Sequence, residues 1–277
     1  MRNIALERRG VLFWVLLVVI LALVLLPLYW LLVTAWKTPL ENIASRPIFL
    51  PHSFYVRNFI AVFESGFLGN LLNSLFVATF STLLSLALSF LAGYALSRHR
   101  FPFRFNTIFL IWVLAVKMVP PVVLAIPLFT LFADAHLLNS LLGLVLVYQV
   151  YTLPYCIWML FGFFKALPTE YEDAARIDGA SNLGILGHVV APLMASGIIA
   201  TSIFSVIMAW NEFLFALLFL RNPRLETFPL VIVNYITEYG TQWGKLMAAG
   251  LLATVPLLLF SGYVYRKMTM GYTMSLK

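Results

Sequence analysis

From Val11 to Trp36 the chain runs through twenty-six residues without a charge. A helix rises 1.5 Å per residue, so this run is long enough to cross a hydrocarbon core about 30 Å thick. Five more apolar runs follow, at 68–96, 106–132, 138–162, 191–218 and 245–265. They are continuous, whereas a membrane barrel would need alternating segments of about ten residues. The predicted fold class is therefore an all-α membrane protein with six transmembrane helices. Composition agrees, with 62% of residues apolar and only 10% charged, against roughly 25% charged in an ordinary soluble domain. A soluble enzyme of 277 residues would need far more polar surface to cover its core.

Charge placement gives an expected orientation. Arg2, Arg8 and Arg9 precede the first run like a signal-peptide n-region. The run is too long for a signal and lacks a small-residue cleavage pattern, so it reads as a retained anchor. With the N-terminus inside, cytoplasmic segments hold Arg2, Arg8, Arg9, Arg98, Arg100, Arg104, Lys165, Arg176, Arg266, Lys267 and Lys277. Outside segments hold Lys37, Arg46, Arg57, Arg221, Arg224 and Lys245, and Lys117 lies inside a span. Lys and Arg concentrate in cytoplasmic flanks, so both termini, the turn at 98–104 and the loop 163–190 are expected in the cytoplasm. The expected organisation is a cytoplasmic N-terminus at 1–10, a first helix at 11–36, a five-helix core over 68–265 and a cytoplasmic tail at 266–277. The net charge of +7 thus reports topology, and no nucleic-acid partner is expected. Cys156 has no partner for an internal disulfide, and His52, His99, His136 and His188 share no metal-ligand spacing. No internal repeat divides the chain into two fused transporter halves.

The stretch 169–192 is the most informative. It holds Glu170, Glu172, Asp173 and Asp178, four of the eleven acids. Thr169 followed by Glu172 has the spacing of a capping box, and Asp173 suits a helix N-terminus. Ala174 and Ala175 favour helix, and Gly179 suits a left-handed cap that ends it. A second segment, 182–190, is then stopped by Pro192. From these features alone the stretch is either an interfacial loop with good caps or a docking element whose small residues let another backbone approach. The residues Glu172-Asp173-Ala174-Ala175, Asp178-Gly179-Ala180 and Val189-Val190-Ala191-Pro192 resemble the EAA loop of binding-protein-dependent ABC importer permeases. Asp173 stands in that motif's Glu position, Val189 in its Ile position and Ala191 in its Leu position, while Ala174, Ala175, Gly179 and Pro192 match outright. Ala209-Trp210-Asn211-Glu212-Phe213 and 245–250 are similar to the carbohydrate-importer group of the maltose and glycerol-phosphate type.

The resemblance implies a heteromer of this subunit, a second permease, two ATPase subunits and an extracytoplasmic solute-binding protein, set in membrane lipid and moving a sugar-type substrate. The chain has no G-x-x-x-x-G-K-[ST] phosphate loop, so ATP and Mg are expected on the partner ATPase subunits and no cofactor in this chain. Contact with the ATPase is assigned to Glu172, Asp173, Ala174, Ala175, Asp178, Gly179 and Pro192. Within the spans, Lys117 and Glu212 are ionisable groups of a kind that face a cavity or a partner. Lys117 lies about eleven residues, roughly 16 Å, into its span, and Glu212 lies nearer the outer face. Each group either lines the pathway or makes an internal bond to the backbone. Pro120 and Pro121 are expected to kink the third helix. Trp210 and Asn211 could pass a sugar by stacking and hydrogen bonding, or simply pack between helices. Gly93 and Gly143 read as close-packing positions. In the outer loop 221–243, Tyr239, Gly240, Thr241 and Gln242 are assigned to binding-protein contact. A stand-alone channel or a membrane enzyme is the alternative. An enzyme would need a constellation of reactive groups that the spans do not offer, and a channel would need no acidic docking loop.

Overall fold

The computed structural model describes residues 11–99, 101–238 and 240–274. The segment 1–10, with Arg2, Arg8 and Arg9, lies outside the described residues, as do Arg100, Tyr239 and Lys277. The chain divides into two compact units.

The first unit holds the chain up to Phe67 together with Ile232–Val255. Helix α1 (Val11–Trp36) is apolar all round and mostly exposed. Next come a one-turn helix α2 (Pro39–Asn42) and helix α3 (Arg57–Glu64). Here a full capping box forms: the Glu41 amide donates to Thr38 Oγ1 at 3.3 Å, and the Thr38 amide donates to Glu41 Oε2 at 2.8 Å. Glu41 Oε1 also accepts from the His52 amide at 2.9 Å and lies 2.7 Å from His52 Nδ1. These donors, the His52 amide foremost, hold the carboxyl down at about 2. Asn58 is buried and donates to the carbonyls of Ala35 and Lys37, both at 2.9 Å, which fixes α3 to the end of α1.

The second unit holds Leu68–Val231 and the chain from Pro256 on. Helix α4 (Phe67–Arg98) is the long strut. Its buried Ser74, Ser81, Thr82, Ser85 and Ser89 form a face of small hydroxyls, which in lipid lets helices approach and bond each other. Helices α5 (Phe105–Met118) and α6 (Pro121–Asp134) follow, then α7 (Leu141–Val147) and α8 (Gln149–Ala166). Ser85 donates to Gln149 Oε1 at 2.6 Å, and a Cβ at Gly93 would touch the Phe164 ring at 3.2 Å, so α4 lies close against α8. Helix α9 (Glu170–Ile177) precedes a short α10 (Asn182–Gly184), a π-helical turn (Ile185–Val190) and α11 (Ala191–Leu193). Helices α12 (Ala195–Trp210), α13 (Leu214–Phe219) and α14 (Phe228–Val233) come next. The chain then returns to the first unit, where a short hairpin, β1 (Ile236–Thr237) with β2 (Gly240–Thr241), pairs antiparallel, and the last helix, α15 (Trp243–Met274), runs from the first unit into the second.

Among the described residues, three helices are long and apolar enough to cross a membrane, or up to six if each bent pair is one span. Three expected spans are thus not straight. The third breaks by 97° between α5 and α6, because Pro120 and Pro121 supply no amide to continue the ladder. The fourth bends by 43° between α7 and α8, and the fifth by 73° before α12. The fifth is interrupted again at 211–213, where α12 stops and α13 starts. Pro192 does not end its segment, which continues through Leu193.

Candidate functional site

The loop read as a docking element is built around α9. Its C-terminus is a complete glycine cap: the Ala180 amide donates to the Ala175 carbonyl and the Gly179 amide to the Arg176 carbonyl, both at 3.0 Å. Gly179 carries the required positive φ of 83°. Ser181 then caps α10 by accepting from the Gly184 amide at 3.2 Å.

At the other end of α9 the expected capping box is absent. Thr169 is helical in backbone and makes no side-chain cap. Glu172 has been drawn elsewhere: it is 1% exposed, with Oε1 2.7 Å from Arg98 Nε and Oε2 accepting from the Tyr94 hydroxyl at 2.8 Å. A charged donor on a neighbouring helix outcompetes the helix's own amide. Arg98 also donates to the carbonyls of Phe164 at 3.1 Å and Leu167 at 3.0 Å. Ala175 packs against a core of Leu160, Phe164, Ile185, Val190 and Met194. One face of α9 is thereby anchored.

Its other face is open. Asp173 is exposed and bonded to Arg176 at 2.7 Å, and Ala174, Asp178, Gly179 and Pro192 are exposed. Around them stand apolar residues that water should have driven inward, Ile177 at 87% and Leu183 at 81% exposure, with Tyr171 nearby. Clustered apolar exposure beside carboxylates is the signature of a contact surface. Neither Arg98, counted only as a topological charge, nor these apolar residues had been singled out from the sequence. Their signal was an arginine closing a long apolar run, and Ile and Leu placed next to turn residues.

The span residues are not brought into one cluster. Lys117 is exposed, with Nζ 4.7 Å from the centre of the Tyr155 ring. Glu212 is buried and accepts from the Phe215 amide at 2.9 Å and the Ala216 amide at 3.3 Å. It therefore satisfies the first amides of α13 across the break, with Tyr151 alongside. Among the described residues no ion pair joins Lys117 to Glu212. Tyr155, beside Lys117, and Tyr151, beside Glu212, lie one helical turn apart on α8. Trp210 is buried against Phe228, ring centres 4.9 Å apart, and lines a cavity of about 190 Å³ with Thr79, Thr82 and Ser202. Asn211 donates to the Ile207 carbonyl at 2.8 Å and ends α12. In the hairpin, Gly240 has φ 129° and its carbonyl accepts from the Thr237 hydroxyl at 2.7 Å. Thr241 is half-buried and Gln242 exposed. Among the described residues no group of three or more His, Cys, Asp or Glu could hold a metal ion.

The geometry is thus that of apolar, broken helices carrying a glycine-capped acidic helix. Residues 85–268 match the family described as the binding-protein-dependent transport system inner membrane component, and the chain belongs to that family. It is accordingly a multi-pass inner-membrane permease subunit of an ABC importer. It is 37% identical over 250 residues to the sulfoquinovosyl glycerol transport system permease protein SmoH of Agrobacterium fabrum, covering 90% of this chain and 87% of that one. It is 34% identical over 248 residues to the diacetylchitobiose uptake system permease protein DasC of Streptomyces coelicolor, covering 89% of each. Identity to the trehalose/maltose transport system permease protein MalG of Thermococcus litoralis is 33% over 260 residues, with 89% and 90% covered. The fold is similar to that of a bacterial ABC transporter involved in the import of the acidic polysaccharide alginate. In that comparison the TM-score is 0.76 at 21% identity, with 93% of this chain and 95% of that one covered.

Proposed function

We propose that this permease imports a sugar or sugar derivative delivered by an extracytoplasmic binding protein, together with a second permease and two ATPase subunits. The relatives named for sulfoquinovosyl glycerol, diacetylchitobiose and trehalose/maltose support a glycoside as cargo. ATP and Mg belong to the ATPase subunits. In this reading each bent pair counts as one span, giving six, and the basic flanks set both termini and the α9 loop on the cytoplasmic side. Lys117, Trp210 and Asn211 border the pathway, with Glu212 holding open the break between α12 and α13. The outer-loop residues Tyr239, Gly240, Thr241 and Gln242 meet the binding protein.

The observation that carries this reading is the open face of α9 and the turn after it, where Ile177 stands exposed with Asp173 and Asp178, and Leu183 of α10 is exposed as well. That face docks on the ATPase, Asp173 offering a carboxylate to a basic group there. A side chain at Gly179 would be strained by roughly 1–2 kcal/mol in the left-handed backbone, enough to weaken docking by about tenfold. Gly179→Val or Asp173→Lys is expected to leave the subunit in the membrane while the ATPase is lost on co-purification or runs uncoupled from uptake. A stable complex with wild-type transport in both variants would refute the reading.

A further inference from the structure

Adjacent carboxylates on α9 have different surroundings, Glu172 buried and Asp173 exposed. Asp173 faces out, whereas the Glu172 carboxylate is turned inward and gripped through both oxygens by donors on α4. The same guanidinium holds two carbonyls at the C-terminal end of α8. One arginine, planar and fork-shaped, therefore ties together α4, α8 and α9, a task that a single ammonium cannot perform. Phe164 reinforces the junction, its ring 5.2 Å from Phe90 and 5.8 Å from Tyr94.

We propose that Arg98 and Tyr94 are positioning residues for coupling: through Glu172 they lock α9 to α4 and α8, so that a push on α9 moves these helices as one body. The proposal rests on the reading that the α9 loop engages an ATPase. Its physical basis is the buried charge. Ala175 also packs α9 against the core, but a single methyl gives little resistance to rolling or sliding. With Glu172 gripped, swinging α9 alone would leave a carboxylate and a guanidinium apart in a low-dielectric interior, where losing one partner is strongly unfavourable. Carrying α4 and α8 along keeps every bond. Arg176, 3.8 Å from Glu172 Oε2 and also bonded to Asp173, links the docked face to the locked one.

The test uses the whole transporter in proteoliposomes. Spin labels at Glu170 on α9 and Leu91 on α4, both exposed, report their separation in nucleotide-free and ADP-vanadate-trapped states. The separation is expected to stay constant on trapping in the parent protein and to change in Arg98→Lys and Glu172→Gln. In both variants, stimulation of ATP hydrolysis by the binding protein, per assembled complex, should fall by roughly tenfold or more. The double variant should lose no more than the worse single one, since both act through one contact. Tyr94→Phe keeps the ring and removes one hydrogen bond, so a loss of about two- to fivefold is expected. A separation that changes in the parent protein, or stays constant in every variant, overturns the proposal. So does stimulation that is normal per assembled complex. Asp173→Lys, run in parallel, distinguishes the two levels. If it uncouples while Glu172→Gln does not, the loop couples without the lock; if neither does, the coupling reading itself is wrong.

Discussion

A methyl group added to Gly143 would stand 2.0 Å from the Leu137 carbonyl oxygen. That oxygen is backbone and cannot swing aside, so Gly143→Ala is expected to destabilise the subunit by about 1–3 kcal/mol. A lowered melting temperature of the detergent-solubilised protein, with Gly162→Ala as the control, checks this. Gly162 suits the comparison because nothing lies within 4 Å of its added Cβ. Gly179 also has open space around it, and there only the positive φ penalises a side chain. Two glycines thus forbid substitution for unrelated reasons, one steric and one torsional. Both were legible as special positions, since Gly143 follows the helix-capping Ser140 and Gly179 follows a helix rich in acids. Glu172 was not. Its spacing from Thr169 is equally compatible with a capping box, and a local pattern cannot register a competing arginine 74 residues away.

At the level of elements, α2 and the strand of chain after it are organised by one carboxylate. Because the folded state holds Glu41 at about 2, below the ordinary 4.5, its contribution is complete above about pH 4.5 and is lost as pH falls toward 2. Amide exchange of residues 38–52, corrected for its intrinsic pH dependence, should accelerate through that window. In Glu41→Gln it should already be fast at neutral pH. Exchange independent of pH in the parent protein would count against the carboxylate's role. Lys37 nearby is pushed down by its burial, with Glu41 opposing, and its ammonium rests 4.1 Å from the centre of the Trp30 ring. Of the helix breaks, only the one at Pro120 and Pro121 was readable. The bend at Tyr148 has no proline at the junction, and the stop at Asn211 depends on a carboxylate that recaps the next helix. Apolar length alone reads such broken pairs as single runs.

For the whole molecule, the six apolar runs and the acidic loop were enough to indicate the family, because length and turn chemistry are local properties of sequence. The hairpin was not foreseen, since two residues per strand leave no alternation to detect. It pairs Ile236 with Thr241 and Thr237 with Gly240, and deleting residues 239–242 removes the second strand. The deletion is expected to abolish stimulation of ATP hydrolysis by the binding protein while the subunits still co-purify. Full stimulation in the deleted protein would take the hairpin out of that contact.

The distance in sequence between Arg98 and Glu172 also orders events during synthesis. The arginine leaves the ribosome long before the carboxylate that will neutralise it exists. Throughout the making of residues 99–171 its charge has no carboxylate partner, and an unpaired charge is costly in hydrocarbon. Only when Glu172 arrives can the cation be withdrawn from water. The same side chain therefore begins as a solvated charge and ends as internal mortar, and the first state gives way when its partner is made.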